Sequence, residues 1–306
     1  MGIIERFQNP TRGFVLGWAW AQLVANAGLV LTGGLVRLTG SGLGCPTWPR
    51  CTEESFVPHG SLGIHGVIEF GNRLLTYVLV VIAIGLLVSV WRWPRSDRFG
   101  KGISVFLAAS VPFQGVIGGI TVLTDLNPWV VAFHLLWSVA IISGSVVLLL
   151  RLQGSTGIPT RHNILVICTY ISLWVAVYFG TIVTGSGPHA GDGGAARNGL
   201  DPELMSQLHA DSVFLLIGLT IGSWLALRTT APHAARVARL LLLVELAQGF
   251  IGYVQYFTGL PIVLVALHMI GAAVLAAVGT WLVMSVRAPL HGKGHGSGTE
   301  SGLVAK

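Results

Sequence analysis

Two stretches of this chain repeat one another with a histidine in register. Gln114-Gly115-x-Ile117-Gly118, Thr124-x-Leu126 and Val131-Ala132-x-His134 return as Gln248-Gly249-x-Ile251-Gly252, Thr258-x-Leu260 and Val265-Ala266-x-His268, at a constant offset of 134. Both copies lie in apolar runs, where an ionisable side chain is costly and usually marks function. A histidine kept in place twice therefore points to a paired ligand site. The competing reading is a duplicated bundle whose histidines only hydrogen-bond between helices.

The chain has ten histidines, and their positions sort them. His162, His233, His291 and His295 fall on an inner rim or in the tail, and His59 and His189 fall in outer loops. His65, His134, His209 and His268 remain, at or a little inside the outer ends of the second, fourth, sixth and eighth apolar runs. His134 lies six residues past Pro128 and His268 seven past Pro261, which is about two turns at about 1.5 Å per residue. Two such pairs at similar depth, one per half, suit bis-histidine heme, in which neutral imidazoles from facing helices reach the iron from both sides of the ring.

A carboxylate stands next to one pair. His65, Glu69 and Asn72 follow at i, i+4 and i+7 on one helical face, with Arg73 beside them. Glu69 reads either as the partner of Arg73, positioning the helix, or as an acid/base facing a bound macrocycle. The second half has Val213 at the corresponding position, with Asp211 two residues past His209. The two sites should therefore differ in job.

The elements that hold these residues follow from composition. Hydrophobic residues make up 53% of the chain and charged residues 10%, with a mean hydropathy of +0.74, which excludes a soluble domain. Eight apolar stretches are long enough to span a bilayer: 14–36, 66–90, 103–123, 129–150, 163–184, 208–227, 239–257 and 262–286. The expected fold is an all-α membrane protein of eight transmembrane helices in two pseudo-symmetric four-helix bundles. The first stretch is expected to stay as a permanent helix, being long, Gly-rich and without a cleavage site. Lys and Arg gather in the N-terminus, alternate loops and C-terminus, so both termini are expected in the cytoplasm. On this reading the formal net charge of +6 is a topology signal and not a nucleic-acid footprint.

Expected units are an N-terminal half over 1–152, a cytoplasmic linker over 153–162, a C-terminal half over 163–288 and a disordered tail over 289–306. Thr39-Gly40-Ser41-Gly42 opens the first long outer loop and is echoed by Thr184-Gly185-Ser186-Gly187. Cys45 and Cys51 lie in that first loop, on the oxidising side. A disulfide, redox-active thiols and a metal pair are the three readings, and the five-residue gap departs from common zinc and iron–sulfur spacings. Cys168, inside an apolar run, reads as an inert small hydrophobe.

With these residues in view, the chain resembles the heme A synthase family, integral membrane enzymes that convert heme O to heme A for cytochrome oxidases. The resemblance covers nearly the whole chain. It rests on the eight helices in two halves, the T-G-S-G-x-G-C-x-x-W-P-x-C loop from Thr39 to Cys51, the Ile68-Glu69-Phe70-Gly71-Asn72-Arg73 segment, and the histidines of the fourth and eighth helices. It implies a multi-pass protein of a bacterial-type plasma membrane with its long loops extracytoplasmic and a Cys45–Cys51 disulfide. It further implies substrate heme O in the N-terminal half, a heme B cofactor in the C-terminal half and a catalytic Glu69.

This sequence departs from the family in one respect. The family's second helix carries E-x-x-H-R, with a matching histidine in the sixth, whereas Asn72 and Leu216 stand here. His65 and His209 lie seven residues earlier on the same helical faces, a parallel shift that suggests an alternative ligand register. His65 and His134 are thus expected to present the substrate heme to Glu69, and His209 and His268 to hold heme B as an electron relay.

The activity implied is oxidation of a porphyrin methyl to a formyl group by two successive hydroxylations and loss of water. Expected partners are the lipid bilayer, heme O, the heme O synthase that supplies it, an electron donor and further copies of the chain in a homo-oligomer. No nucleic acid is among them. A diheme b-type cytochrome is the alternative, opposed by the presence of Glu69 and the cysteine loop in one half only. A transporter is opposed by the parallel halves and by the lack of a helix broken at a central Pro-Gly pair, Pro112 being the nearest candidate. Glu245, whose repeat partner is Val111, has no place in this reading.

Overall fold

The computed structural model describes residues 2–154, 157–159 and 164–289. A short helix α1 (Ile3–Gln8) precedes eight long ones: α2 (Arg12–Leu38), α3 (Gly63–Arg92), α4 (Arg98–Leu123), α5 (Pro128–Leu152), α6 (Ile164–Ser186), α7 (Pro202–Leu227), α8 (Pro232–Phe257) and α9 (Ile262–Ser285). Each of α2–α9 is long and apolar enough to cross a membrane. Two three-residue strands, β1 (Gly157–Pro159) and β2 (Arg287–Pro289), pair antiparallel. Half of the expected linker lies outside the described residues, as does all but the first residue of the expected tail.

Local chemistry sets the ends of the helices. Side chains of Thr11, Asp97, Asn127 and Asp201 accept main-chain N–H groups at the starts of α2, α4, α5 and α7. Proline begins α5, α7 and α8, where its missing N–H leaves no bond unmade. The Asp201 cap and a proline for α7, and a proline alone for α8, explain why these helices begin at Pro202 and Pro232, about two turns before their apolar runs. Glu203, Gln207, Arg236 and Arg239 occupy those first turns and hide them from a hydropathy window. Pro112 lies inside α4 without ending it.

The repeated Thr-x-Leu element makes the same turn twice. Leu126 and Leu260 both adopt left-handed backbone, with φ of 59° and 58°. Their N–H groups reach back to Thr121 O at 2.7 Å and Gln255 O at 2.8 Å, closing α4 and α8 in a C-terminal cap. Leucine is an uncommon residue in this conformation. Leu126 is nevertheless buried against Leu43, Val131, Ala190 and Ala195.

Helices α2, α3, α4 and α5 each pack on the next, and α5 returns to α2; α6, α7, α8 and α9 do the same. The two sets meet through α2 with α9 and through α5 with α9 and α6. Val30, Ile142 and Ala273 are buried along that seam. Small residues allow the close approach there, since a Cβ at Gly34 would come within 2.6 Å of Met269 Sδ. At the end bearing the long loops, Arg37 donates to His189 O at 2.5 Å and Thr184 O at 2.7 Å, and Gly42 N donates to Gly191 O at 2.8 Å. The Thr39 motif follows α2, whereas Thr184-Gly185-Ser186 belongs to the last turn of α6.

Candidate functional site

In the second half, two histidines face one another. His209 sits two turns into α7, and its Nδ1 bonds the Ala176 carbonyl of α6 at 2.9 Å, leaving Nε2 for another partner. His268 comes from α9, and its ring centre lies 6.3 Å from that of His209 with the planes at 87°. Two imidazoles on one iron would put their ring centres about 6 Å apart, given metal–nitrogen bonds of about 2 Å and about 1 Å more to each ring centre. The pair thus fits a bis-histidine group. His268 Nδ1 is buried and forms no hydrogen bond.

Glycines lie against these rings. A Cβ at Gly252 would stand 3.5 Å from His268 Cε1, and one at Gly118 would stand 3.5 Å from His134 Cε1, an ordinary contact in both cases. The last glycine of each Q-G-x-I-G copy therefore neighbours that copy's histidine. Gly180 lies closer to His209, where a Cβ would stand 3.2 Å from Cε1, a tight contact. The glutamines diverge. Gln114 donates to Ser138 Oγ at 2.7 Å and His134 O at 3.2 Å, whereas Gln248 packs against Gly271; the Oε1 of each is buried and unpartnered.

The first half presents one interior histidine. His134 Nδ1 is buried without a hydrogen bond. His65, the third residue of α3, is exposed at the rim and shares a 2.9 Å hydrogen bond with Ser41 Oγ. Among the described residues His65 and His134 make no ring contact, unlike His209 and His268. Asn72 Oδ1 is buried and unpartnered, while Leu216 at the corresponding second-half position is 1% exposed within the apolar core.

Glu69 is buried and anchors the cysteine loop. Its Oε1 accepts from Arg73 Nε at 3.0 Å and Nη2 at 2.5 Å, and its Oε2 accepts the Cys45 N–H. Arg73 spends its other donors on main-chain carbonyls of that loop: Thr47 O at 2.9 Å, Arg50 O at 3.1 Å and Cys45 O at 3.1 Å. Cys45 and Cys51 are joined by a disulfide and fully buried. The Trp48 ring lies on Gly119 of α4, and Gly44 passes so close to α3 that a Cβ there would come within 2.8 Å of Gly66 N. The loop is thus pinned across α3 and α4 beside the carboxylate. Both oxygens of this carboxylate are thus engaged, one by a guanidinium and one by a main-chain N–H.

Sequence reasoning missed the glycine–histidine contacts, the Ser41 anchor and the carbonyl-binding role of Arg73. Only the first had a readable signal, the same spacing of 16 residues between glycine and histidine in both copies. Cys168 is free and lies on the exposed face of α6. Glu245 is buried in the middle of α8 and accepts a hydrogen bond from Thr220 at 2.7 Å.

A model of the COX15-CtaA family, described as cytochrome oxidase assembly protein, matches residues 17–65 and 62–191, which include the Cys45–Cys51 loop, His65, Glu69 and His134. A Shouchella clausii protein named "Heme A synthase" is 33% identical over 170 residues, 51% of this chain and 54% of that protein. Proteins of the same name from Listeria welshimeri and Staphylococcus epidermidis are 25% identical over 181 residues and 27% identical over 164. These matches cover 56% of this chain and 58% of the Listeria protein, and 50% and 53% for the Staphylococcus protein. The chain spans about half the length of the curated relatives it matches.

Proposed function

The chain belongs to the COX15-CtaA family of cytochrome oxidase assembly proteins, and on that premise we propose that it is a heme A synthase, oxidising a methyl group of heme O to a formyl group by two successive hydroxylations. The observation that carries this reading is the family match over the very segment that contains the Glu69–Arg73–Cys45 network and His134. Relatives named heme A synthase support it. The alternative of a diheme cytochrome is not favoured, because it calls for two equivalent relay sites.

In this reading residues 1–152 form the catalytic half and 163–288 the relay half of a pseudo-symmetric pair of bundles. A protein of the bacterial plasma membrane would have both termini in the cytoplasm and the disulfide loop outside. His209 and His268 would hold heme B, which supplies one-electron redox chemistry when bound. His134 would hold heme O from inside the first half, with His65 at the rim where substrate enters. Arg73 keeps one oxygen of Glu69 occupied and the Cys45 N–H orients the other, so the carboxylate sits at a fixed place to accept and return protons near the reacting methyl. The disulfide loop, with Trp48 against Gly119, would lie over this site and limit its access to water. An electron donor and a heme O synthase are the proposed partners, in a homo-oligomeric assembly.

Conversion of heme O by Glu69→Gln protein tests the reading. The amide keeps the shape but cannot exchange a proton at neutral pH, so hemes should remain bound while conversion falls by about 10²–10⁴-fold. Wild-type turnover in the variant would reduce Glu69 to a loop anchor and overturn its catalytic role.

A further inference from the structure

Among the described residues Glu245 is the one buried carboxylate that the proposed reaction leaves unused, and buried hydroxyls of α6 and α7 lie on one side of it. It lies in the middle of α8, 2% exposed, amid the apolar cluster that includes Leu216 and Leu241. Thr220 of α7, itself fully buried, donates to Oε1 at 2.7 Å, and Oε2 has no hydrogen-bond partner. One turn from Thr220 on α7, Ser223 shares a 2.9 Å hydrogen bond with Thr169 of α6, five residues from the start of that helix. One turn beyond Glu245 on α8, Gln248 packs against Gly271, three residues past His268. Hydroxyls thus lead to Glu245 from the end where α6 begins, and an amide with an unpartnered oxygen leads on toward the histidine pair.

Among the described residues no cation pairs with this carboxylate. Helix α8 packs on α7 and α9. The titratable and charged groups on those helices are Glu203, His209 and Asp211 of α7, His268 of α9, and His233, Arg236, Arg239, Tyr253 and Tyr256 of α8 itself. Among the described residues none forms an ion pair or hydrogen bond with Glu245. Arg239 stands six residues away, about 9 Å along the helix. In the first half the corresponding residue is Val111, although Thr76 occupies the place of Thr220. The carboxylate is therefore an addition peculiar to the half with the histidine pair.

We infer that Glu245 is the proton-binding group of the second half, taking up one proton as the site between His209 and His268 gains one electron and releasing it when the electron leaves. This rests on that site holding an electron-carrying heme. An added negative charge in a low-dielectric interior is costly unless a positive one arrives with it. One electron and one proton enter together, the carboxylate becoming a carboxylic acid, so the buried charge stays constant. The hydroxyls of Thr169, Ser223 and Thr220 mark the route, and Glu245 acts as a positioning and proton-storing group, not as a ligand.

The test is a redox titration of the intact purified protein, reduced stepwise with dithionite and soluble mediators at several pH values. Wild type should lose about 59 mV of midpoint potential per pH unit, the value of a tenfold change in proton concentration for a one-electron couple. Glu245→Gln should flatten that slope several-fold while keeping the low-spin spectrum, and Glu245→Asp should retain it. Proton uptake on reduction, read with a pH indicator, should approach one per electron in wild type and vanish in Glu245→Gln. Equal slopes in wild type and Glu245→Gln, or a flat wild-type slope, would overturn the inference and leave the heme assignment standing. A wild-type protein with no low-spin heme that depends on His268 would sink the heme assignment itself, and this inference with it. If Glu245→Gln does not insert, wild-type slope and proton uptake decide alone, since a flat slope or absent uptake refutes the inference.

Discussion

The two halves keep the same glycine–histidine contact and surround it differently. In each, the last glycine of the Q-G-x-I-G element lies against a half-buried histidine from the fourth helix of its set. The second half completes a pair, with His209 at 6.3 Å from His268, whereas the first half has His134 inside and His65 tied to Ser41 at the rim. Each half also has one buried glutamate that the other lacks. Glu69 lies near the loop end, held by Arg73 and the Cys45 N–H; Glu245 lies at mid-depth, held by Thr220. Their repeat partners are Val213 and Val111. The two halves thus differ at single buried positions, and under the proposed function these differences would divide the labour, with a proton group beside the loop in one half and a paired ligand site in the other.

The largest effects should come from removing these histidines one at a time. His268→Ala is expected to lower bound heme B by about 100-fold or more, beyond what changes around metal ligands usually cost, while the protein still inserts. His134→Ala should leave that low-spin spectrum intact and abolish heme O retention. A full low-spin spectrum in His268→Ala protein, or its loss in His134→Ala protein, would break the division between the halves.

Removing the first half's loop staple should act next. Cys45 and Cys51 close a short loop, whose cross-link is worth about 2 kcal/mol by chain entropy. Cys45→Ser with Cys51→Ser should lower thermal stability accordingly and reduce heme O conversion about tenfold by loosening the Cys45 N–H from Glu69. The second half's spectrum should not change. Unaltered conversion in the double variant would separate Glu69 from the loop. Mass mapping of the native protein without reductant should recover Cys45 joined to Cys51, with Cys168 free.

The smallest effect concerns a clamp found only in the first half. Asp97 caps α4 and pairs with Arg151 of α5, Nε lying 2.9 Å from Oδ2. The Arg151 hydrogen bond holds the Asp97 carboxyl below its usual range. A depressed folded-state pKa means that the pair stabilises above the unfolded value and that this contribution is lost as pH falls, here below about pH 4. Asp97 is partly exposed, so Asp97→Asn should cost within about 1 kcal/mol at neutral pH. Its denaturation curve should converge with wild type in acid. Ala231 and Ser285 are the second-half counterparts, and no such acid response is expected from them.

Much of this arrangement was legible from residue type and spacing, and the exceptions have physical reasons. The eight spans follow from apolar run length, yet the starts of α7 and α8 were hidden by the polar residues of their first turns, which caps and prolines place in the helix all the same. His134 and His268 announced themselves through the repeat. The meeting of His209 with His268 depends on helix rotation and packing, which one-dimensional spacing only suggests. Arg73 could be read as a partner of Glu69 at i+4, but its carbonyl acceptors are main-chain atoms of a loop that folds back, and no side-chain pattern encodes them. Thr220 looks like any helical threonine until α7 and α8 are packed together.

The claim that the halves do different work is tested most directly by extracting the pigments of the purified wild-type protein and quantifying each heme per folded chain. The account predicts one equivalent of heme B together with heme A or a hydroxylated heme O. Heme B alone, at two equivalents, would contradict it and make the two halves equivalent relays.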